Sequence, residues 1–281
     1  MTATLKESSQ VRNKKCLRGL LKNHGMQGNK ELLNEPYNLV RRGKSDKVDE
    51  ALRVFQRPLK CQFHSHAHGD PLDHISYSPK SLIDEAAKLK YDVLSITCHR
   101  KILFTKNLSD YAKKKGILLI PGIEFEINKR HILCINAHED IYKVENFDNL
   151  KQYRKSHPES LIIAPHPFFP GPSLGKFLPE NIKLFDAIEI SWAYTKLKNY
   201  NKKAIALAKK HKLPLLATAD CHILRNLDVA YTMVNSKKDI QSIFTAIKDN
   251  KIENFHKPTN IFKILHDLGN IVIKTRLKKL L

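Results

Sequence analysis

Nowhere in the 281 residues does an apolar run approach the roughly 20 residues that a membrane-spanning helix needs, and the opening Met1-Thr-Ala-Thr-Leu-Lys-Glu7 carries no apolar core of a secretion signal. Cysteine is sparse. Cys16, Cys61, Cys98, Cys134 and Cys221 are odd in number, far apart and without a Cys-x-x-Cys pair, so a reduced, cytoplasmic setting is the simplest fit. There is no interior linker to suggest a second domain, and neither an aromatic stacking platform nor a nucleic-acid-binding motif stands out. Acidic residues are few: 28 against 49 Lys and Arg, for a formal net charge of +21.

That imbalance invites nucleic acid or an anionic surface as a partner. Its distribution tempers the inference. Residues 1–60 hold 14 Lys or Arg against 6 acids and residues 255–281 hold 6 against 1, so the two ends supply most of the excess. The remainder is spread as Lys on expected helix surfaces, where a solvated face is the ordinary reading. Hydrophobic content of 42% and charged content of 27% are those of a soluble globular chain, long enough for one large α/β domain with a well-buried core.

Residues 1–59 read as a basic N-terminal extension with weak helical patches at Val11–Leu21 and Val48–Phe55, separated by Gly25, Gly28, Pro36 and Gly43. From Lys60 the pattern changes to short β-branched runs alternating with amphipathic stretches, the signature of βα units. Seven strands are expected, at Cys61–His64, Val93–Thr97, Leu118–Pro121, Leu161–Ala164, Ala187–Ile190, Leu215–Thr218 and Ala230–Val234. Helices are expected at Pro79–Leu89, Asn107–Lys115, Asn146–Ser156, Lys198–His211 and Lys238–Asp249, with Ser78 capping the first. The run His131–Ala137, close behind Glu124–Ile127, reads as an inserted hairpin. Residues 60–254 would form the barrel and residues 255–281 a basic amphipathic helix, which packs on the body or binds a partner or membrane surface.

The chemistry-bearing stretch is Lys60-Cys-Gln-Phe-His-Ser-His-Ala-His-Gly-Asp70. Side chains alternate faces along a strand, so His64 and His66 point the same way and form a chelate. Among 14 histidines a chance His-x-His is quite possible, and what adds weight is the placement of further donors at later strand ends. In a parallel barrel those ends open on one face. His99 follows the second strand, Glu124 the third, and His131 opens the hairpin. His166 in Ala-Pro-His-Pro follows the fourth strand, and Asp220 and His222 follow the sixth. With Asp70, nine candidate ligands converge.

Nine donors exceed one ion, so two or three divalent ions bridged by Glu124 are expected. Mixed imidazole and carboxylate ligation suits Zn, Mn or Fe. A site with that excess of positive charge favours an anionic substrate, and a metal-bridged hydroxide attacking a phosphate ester in line is the natural reaction. Arg100, Lys101 and Arg225 adjoin ligands in sequence and are candidates to hold substrate phosphate, with surface ion pairing as their alternative role.

Taken in order, His-x-His, Thr-x-His, Pro-Gly-Ile-Glu, Ala-Pro-His-Pro and Ala-Asp-Cys-His resemble the PHP (polymerase and histidinol phosphatase) superfamily over roughly residues 60–235. The resemblance implies an α/β fold, a distorted (β/α)7 barrel with a trinuclear metal site, and phosphoesterase activity on a phosphorylated small molecule or nucleic acid. It implies metal ligation by His64, His66, His99, Glu124, His131, His166, Asp220 and His222. Asp70 takes the place of the ligand after His-x-His, although Asp73 and His74 stand in the same loop. Cys98 departs from the Asp or Asn usual before that histidine.

Two rival classes remain. Amidohydrolases, C–N hydrolases that also begin with His-x-His, need a bridging Lys where this chain offers Glu124. A basic nucleic-acid-binding protein using the barrel as scaffold would have little need of so complete a donor set.

Overall fold

The structure, a computed structural model, describes residues 57–278; the helical patches expected within residues 11–21 and 48–55 lie outside the described residues, as does Cys16. Nine strands form among the described residues: β1 (Leu59–Gln62), β2 (Val93–Ile96), β3 (Leu118–Ile127), β4 (Arg130–Ile135), β5 (Leu161–Ala164), β6 (Ala187–Ser191), β7 (Leu215–Thr218), β8 (Ala230–Val234) and β9 (Ile252–His256). They form one sheet in the order β7-β6-β5-β4-β3-β2-β1-β8-β9, rolled into a nearly closed barrel.

Between and after the strands lie α1 (Pro79–Lys88), α2 (Lys106–Lys114), α3 (Phe147–Ser156), the short α4 (Phe177–Glu180), α5 (Asn201–His211), α6 (Ile240–Lys248) and α7 (Ile261–Lys278). Side-chain caps set several starts. Ser78, Thr105, Asn146 and Asp239 each accept the backbone N–H three residues on, satisfying a donor that the first helical turn leaves open.

The sheet differs from the seven expected strands in two places. The hairpin is no appendage: β4 pairs antiparallel with both β3 and β5 and so carries the sheet across. Its turn, Asn128-Lys129, has both residues at positive φ, +52° and +61°, as a two-residue hairpin demands. β9 was not expected. Its Ile-Glu-Asn-Phe-His sequence leaves most side chains exposed on an edge strand, so no apolar run announces it. β8 returns antiparallel to β1, because the residues between β7 and β8 hold only a 3-10 turn at Leu224–Asn226 and no crossover helix.

Backbone ladders do not join β7 to β8; side chains do. Asn254 accepts from Ala217 N–H at 2.8 Å and donates to the Leu215 carbonyl at 2.7 Å, and the Thr232 hydroxyl donates to the Ala217 carbonyl at 3.0 Å. Higher up, Ser65 and Cys221 form a parallel bridge, and Gln62 accepts from Ala219 N–H while donating to the Leu227 and Ala230 carbonyls. The first and seventh strands therefore meet at the mouth. Inside the wall, Gly122 of Pro-Gly-Ile-Glu is needed for close approach: a Cβ there would collide with the Ser95 hydroxyl and lie 2.8 Å from the Thr97 methyl.

Candidate metal centre

β1 ends at Gln62, and the chain beyond it carries His64 and His66 into the mouth, both fully buried, with ring centroids 5.2 Å apart. The Ser65–Cys221 bridge sets this pair beside Asp220 and His222, and a second bridge, His99 to Glu124, extends the β2–β3 pairing to the mouth. Glu124 is the hub. Its Oε2 lies 3.3 Å from His64 Nε2, 3.4 Å from His66 Nε2 and 3.1 Å from His99 Nε2. Its Oε1 lies 2.7 Å from His131 Nδ1 and 3.4 Å from His166 Nε2. Asp220 Oδ1 faces the same space, 3.2 Å from His64 Nε2 and 3.3 Å from both His66 Nε2 and His222 Nδ1.

Eight of the nine expected donors thus face one space. Two of them sit on backbone that L-residues seldom adopt: His166 has φ +29° and Asp220 φ +42°. Such strain persists only where the surroundings over-determine it, and it gathers at functional sites.

Asp70 occupies a different position. Its carboxylate accepts from His66 Nδ1 at 2.8 Å, from His99 Nδ1 at 3.0 Å and from the His99, Leu72 and Asp73 backbone N–H groups. It stands behind the two imidazoles and turns their Nε2 atoms toward Glu124. Asp73 does the same for His222, whose Nε2 lies 2.9 Å away. His74 is exposed, its backbone N–H donating to Thr275.

Sequence reasoning missed Glu189. It is fully buried on β6, receives His64 Nδ1 at 2.7 Å and accepts the His166 backbone N–H at 3.2 Å. The available signal was a lone carboxylate inside the apolar run Ala187-Ile-Glu-Ile-Ser191, a charge that such a strand buries only with a partner.

Electrostatics reflects this crowding. Burial raises the Glu124 carboxyl, but His131, His99 and His64 outweigh it and hold it well below the usual range. Burial would lower His64, yet Asp220, Glu189 and Glu124 raise it well above an ordinary imidazole; His222 rises likewise, against burial, through Asp220 and Asp73. Asp73, despite burial, is lowered to about 2 by His222.

Three buried atoms in the cluster still lack a hydrogen bond: His66 Nε2, Glu124 Oε1 and Asp220 Oδ1. Lone-pair atoms of alternating type facing one another without hydrogen-bond geometry are what a shared cation satisfies. Within the cluster, His64, His66 and Glu124, then His99, Glu124 and His131, then His66, His99 and His222, each bring three donors within 4.8 Å of one another. These residues fit divalent ions.

Over them lies a cavity of about 170 Å³, its opposite wall made by Phe169, Trp192 and two residues of α7, Leu268 and Ile271. α7 is pinned across the mouth. Its buried Asp267 accepts from Arg225 at 2.7 Å and Asn226 at 2.8 Å, and Thr275 donates to Asp73 at 3.0 Å. Arg225 is thereby committed to Asp267, and Arg100 pairs with Glu126. Neither they nor Lys101 line the cavity. Cys98 is buried beside the Ala67 carbonyl, and burial pushes its thiol up to about 12, so it packs as a small inert side chain.

Residues 198–252, from just before α5 to the start of β9, match the family described as PHP-associated. Curated proteins yield no match to the sequence. Among solved structures, the fold is similar to that of a two-domain protein from Bacteroides vulgatus ATCC 8482 containing a predicted PHP-like metal-dependent phosphoesterase (18% identity, 74% of this chain and 69% of that one, TM-score 0.53). It is also similar to PsfC from Pseudomonas syringae PB-5123 (14% identity, 79% of this chain and all of that one, TM-score 0.55). A third is the lesion-specific endonuclease Q of Pyrococcus furiosus, at 15% identity and TM-score 0.53, matched over 68% of this chain but only 56% of that one. At these identities the likeness is one of fold. Joined to the PHP-associated match, and to donor motifs that appear in the expected order on the expected strand ends, it supports the resemblance of the chain to the PHP superfamily.

Proposed function

We propose that the protein is a metal-dependent phosphoesterase acting on a small phosphate ester. The observation that carries this reading is the trio of buried atoms without hydrogen bonds, His66 Nε2, Glu124 Oε1 and Asp220 Oδ1, within a ring of six imidazoles. In this reading His64, His66, His99, Glu124, His131, His166, Asp220 and His222 hold two or three ions of Zn, Mn or Fe. Such ions supply Lewis-acid polarisation and acidify water.

The chain's own groups prepare the site. Asp70, Asp73 and Glu189 fix the imidazole orientations from behind, an outer layer that sets tautomer and basicity. Phe169, Trp192, Leu268 and Ile271 keep bulk water off one side of the cavity and leave room for a phosphoryl group with its nearest neighbours. Charge compensation for the anion falls to the ions, since Arg100 and Arg225 are spent on Glu126 and Asp267. Residues 60–254, with the ends of β1 and β9 that overrun them, then make the catalytic barrel, residues 1–59 are a basic extension in sequence, and α7 is the cover.

The cavity size and the helix across its mouth favour a small molecule over a polynucleotide. The nuclease reading draws on the net charge of +21 and on endonuclease Q, whose structure has also been solved with a 27-mer duplex bearing an abasic lesion. Salt separates the two: polynucleotide binding weakens steeply between 50 and 200 mM salt, roughly 10³-fold or more for 6–10 phosphate contacts, and a monoester does not.

The test is elemental analysis of the purified chain beside a His64→Ala, Asp220→Ala double variant, followed by a phosphoester screen. Two to three ions in the wild type, lost in the variant together with about 10³-fold or more of the hydrolysis rate, is the expected result, since several kcal/mol of charge stabilisation go with them. A wild type that stays inert after reconstitution with Mn, Zn or Fe would sink the proposal.

A further inference from the structure

A second cluster of histidines lies at the other end of the barrel. β4 runs antiparallel to β3 and β5, pairing Ile135 with Leu161, so the residues leaving β4 and those entering β5 meet away from the mouth. There His138, His157 and Glu159 bring one donor atom each within 4.8 Å of one another. His138 Nε2 lies 2.7 Å from Glu159 Oε1, and His157 Nδ1 lies 3.5 Å from that same oxygen. The two imidazoles stack with centroids 4.4 Å apart and planes at 15°.

Surface histidines often meet a carboxylate, and that alone would mean little. Two further features set this group apart. His157 turns its other nitrogen, Nε2, to Asp140 Oδ2 at 3.4 Å, and Lys143 steadies that carboxylate at 2.7 Å. An imidazole with one nitrogen offered inward and the other held on a carboxylate has its tautomer and ring plane fixed for ligation. The same arrangement recurs at the mouth in His66 with Asp70 and His64 with Glu189.

The three donor-bearing segments are also tied to one buried anchor. The Tyr153 hydroxyl accepts the His138 backbone N–H at 3.0 Å, and its ring centroid lies 4.6 Å from that of His157. Ser160 donates to the Asn136 carbonyl at 2.8 Å, and Asn136 donates to the Glu159 carbonyl at 3.3 Å. Little ordering is left for a ligand to impose, so less of its binding free energy is lost to entropy.

We propose that His138, His157 and Glu159 form a separate divalent-cation site, with Asp140 as the orienting carboxylate. Two imidazoles and one carboxylate with a fourth position open to water is a zinc donor set, and tetrahedral bonds of about 2.1 Å place donors roughly 3.4 Å apart, between the two spacings found here. The ion would clip the residues after β4 to those before β5, beside a strand that runs antiparallel to both its neighbours. Because the cluster is partly exposed, it binds more weakly than the mouth. Zinc binding at this cluster does not depend on any hydrolytic activity at the mouth.

Zn²⁺ is the probe, and the full chain the material. After equilibrium dialysis against micromolar Zn²⁺, elemental analysis should find one ion fewer per chain in His138→Ala and in His157→Ala than in the wild type, with phosphoester hydrolysis unchanged. Crystals of the wild type soaked in Zn²⁺ should show an anomalous peak at the zinc edge among His138, His157 and Glu159. Equal zinc content in all three proteins, or a mouth filled with zinc and no peak at the far end, would overturn it. Should either alanine variant fail to fold, the wild-type anomalous map decides alone.

Discussion

Histidine and carboxylate gather at both ends of this barrel, and burial makes the two clusters different objects. At the far end His138 and Asp140 are exposed, so water solvates them whether or not anything binds. At the mouth His64, His66, His99 and Glu124 are buried, and bulk water reaches them only through the cavity above. A buried polar atom without a partner costs on the order of 1–3 kcal/mol, so the mouth gains more from bound protons, ions or ordered water than the far end does. The lesson is that the same residue types depend far more on a bound partner when strand ends bury them than when loops expose them.

The largest effect expected from probing this contrast comes from Glu189→Gln, which keeps the volume but removes the charge behind His64. Metal affinity or kcat/KM should fall about 10–100-fold, as for other carboxylates behind ligating imidazoles, and metal titration alongside steady-state kinetics would show it. Unchanged values would mean that packing alone orients His64. Next, Gly122→Ala tests whether the mouth depends on a tightly drawn wall. The added methyl falls on the Ser95 hydroxyl, and overpacking of this kind costs about 1–3 kcal/mol, measurable as a lower urea midpoint. Stability equal to the wild type would show that β2 and β3 can part without harm.

The smallest effect concerns the cover, which the far end lacks among the described residues. Burial raises the Asp267 carboxyl, but Lys263, Asn226 and His266 hold it below the usual carboxylate range. A carboxyl depressed on folding contributes stability that is complete above its unfolded value, about 3.9, and is lost as pH falls through the folded value. With Arg225 largely exposed, Asp267→Asn should cost about 1 kcal/mol at neutral pH and flatten the loss of stability below about pH 4. Trp192, the single tryptophan, lies 5.6 Å from Lys263 Nζ, so its fluorescence reports whether α7 has lifted.

How much of this was legible in the sequence follows from what each signal depends on. β5, β7 and β8 lie where Leu161–Ala164, Leu215–Thr218 and Ala230–Val234 were expected, because a short β-branched run bounded by polar residues admits little else. The donors at the ends of parallel strands could be listed for the same reason. β9 was illegible because an edge strand needs no apolar face, and the role of β4 within the sheet because a hairpin pattern does not say what its outer edge will pair with. Asp70 and Glu189 show a further limit. Whether a carboxylate faces the shared space or the back of an imidazole depends on tertiary distances that no spacing encodes, and Glu189 was hidden among residues that read only as core.

The seam between β7 and the β8–β9 pair has a consequence for how the chain becomes a ring. Its fastenings are side chains, Asn254, Thr232 and Gln62, and the amides of Ala217 and Ala219 depend on them for protection. Gln62 and Ala219, joined there, stand 157 residues apart. Contacts of such separation are the last to become favourable as a chain closes on itself. His64 and His66 lie on one side of that closure and Asp220 and His222 on the other, so any ion they share would be a clasp on the finished ring. Amide exchange at Ala217 and Ala219 would then slow when metal is added, reporting the clasp from a place that never touches it.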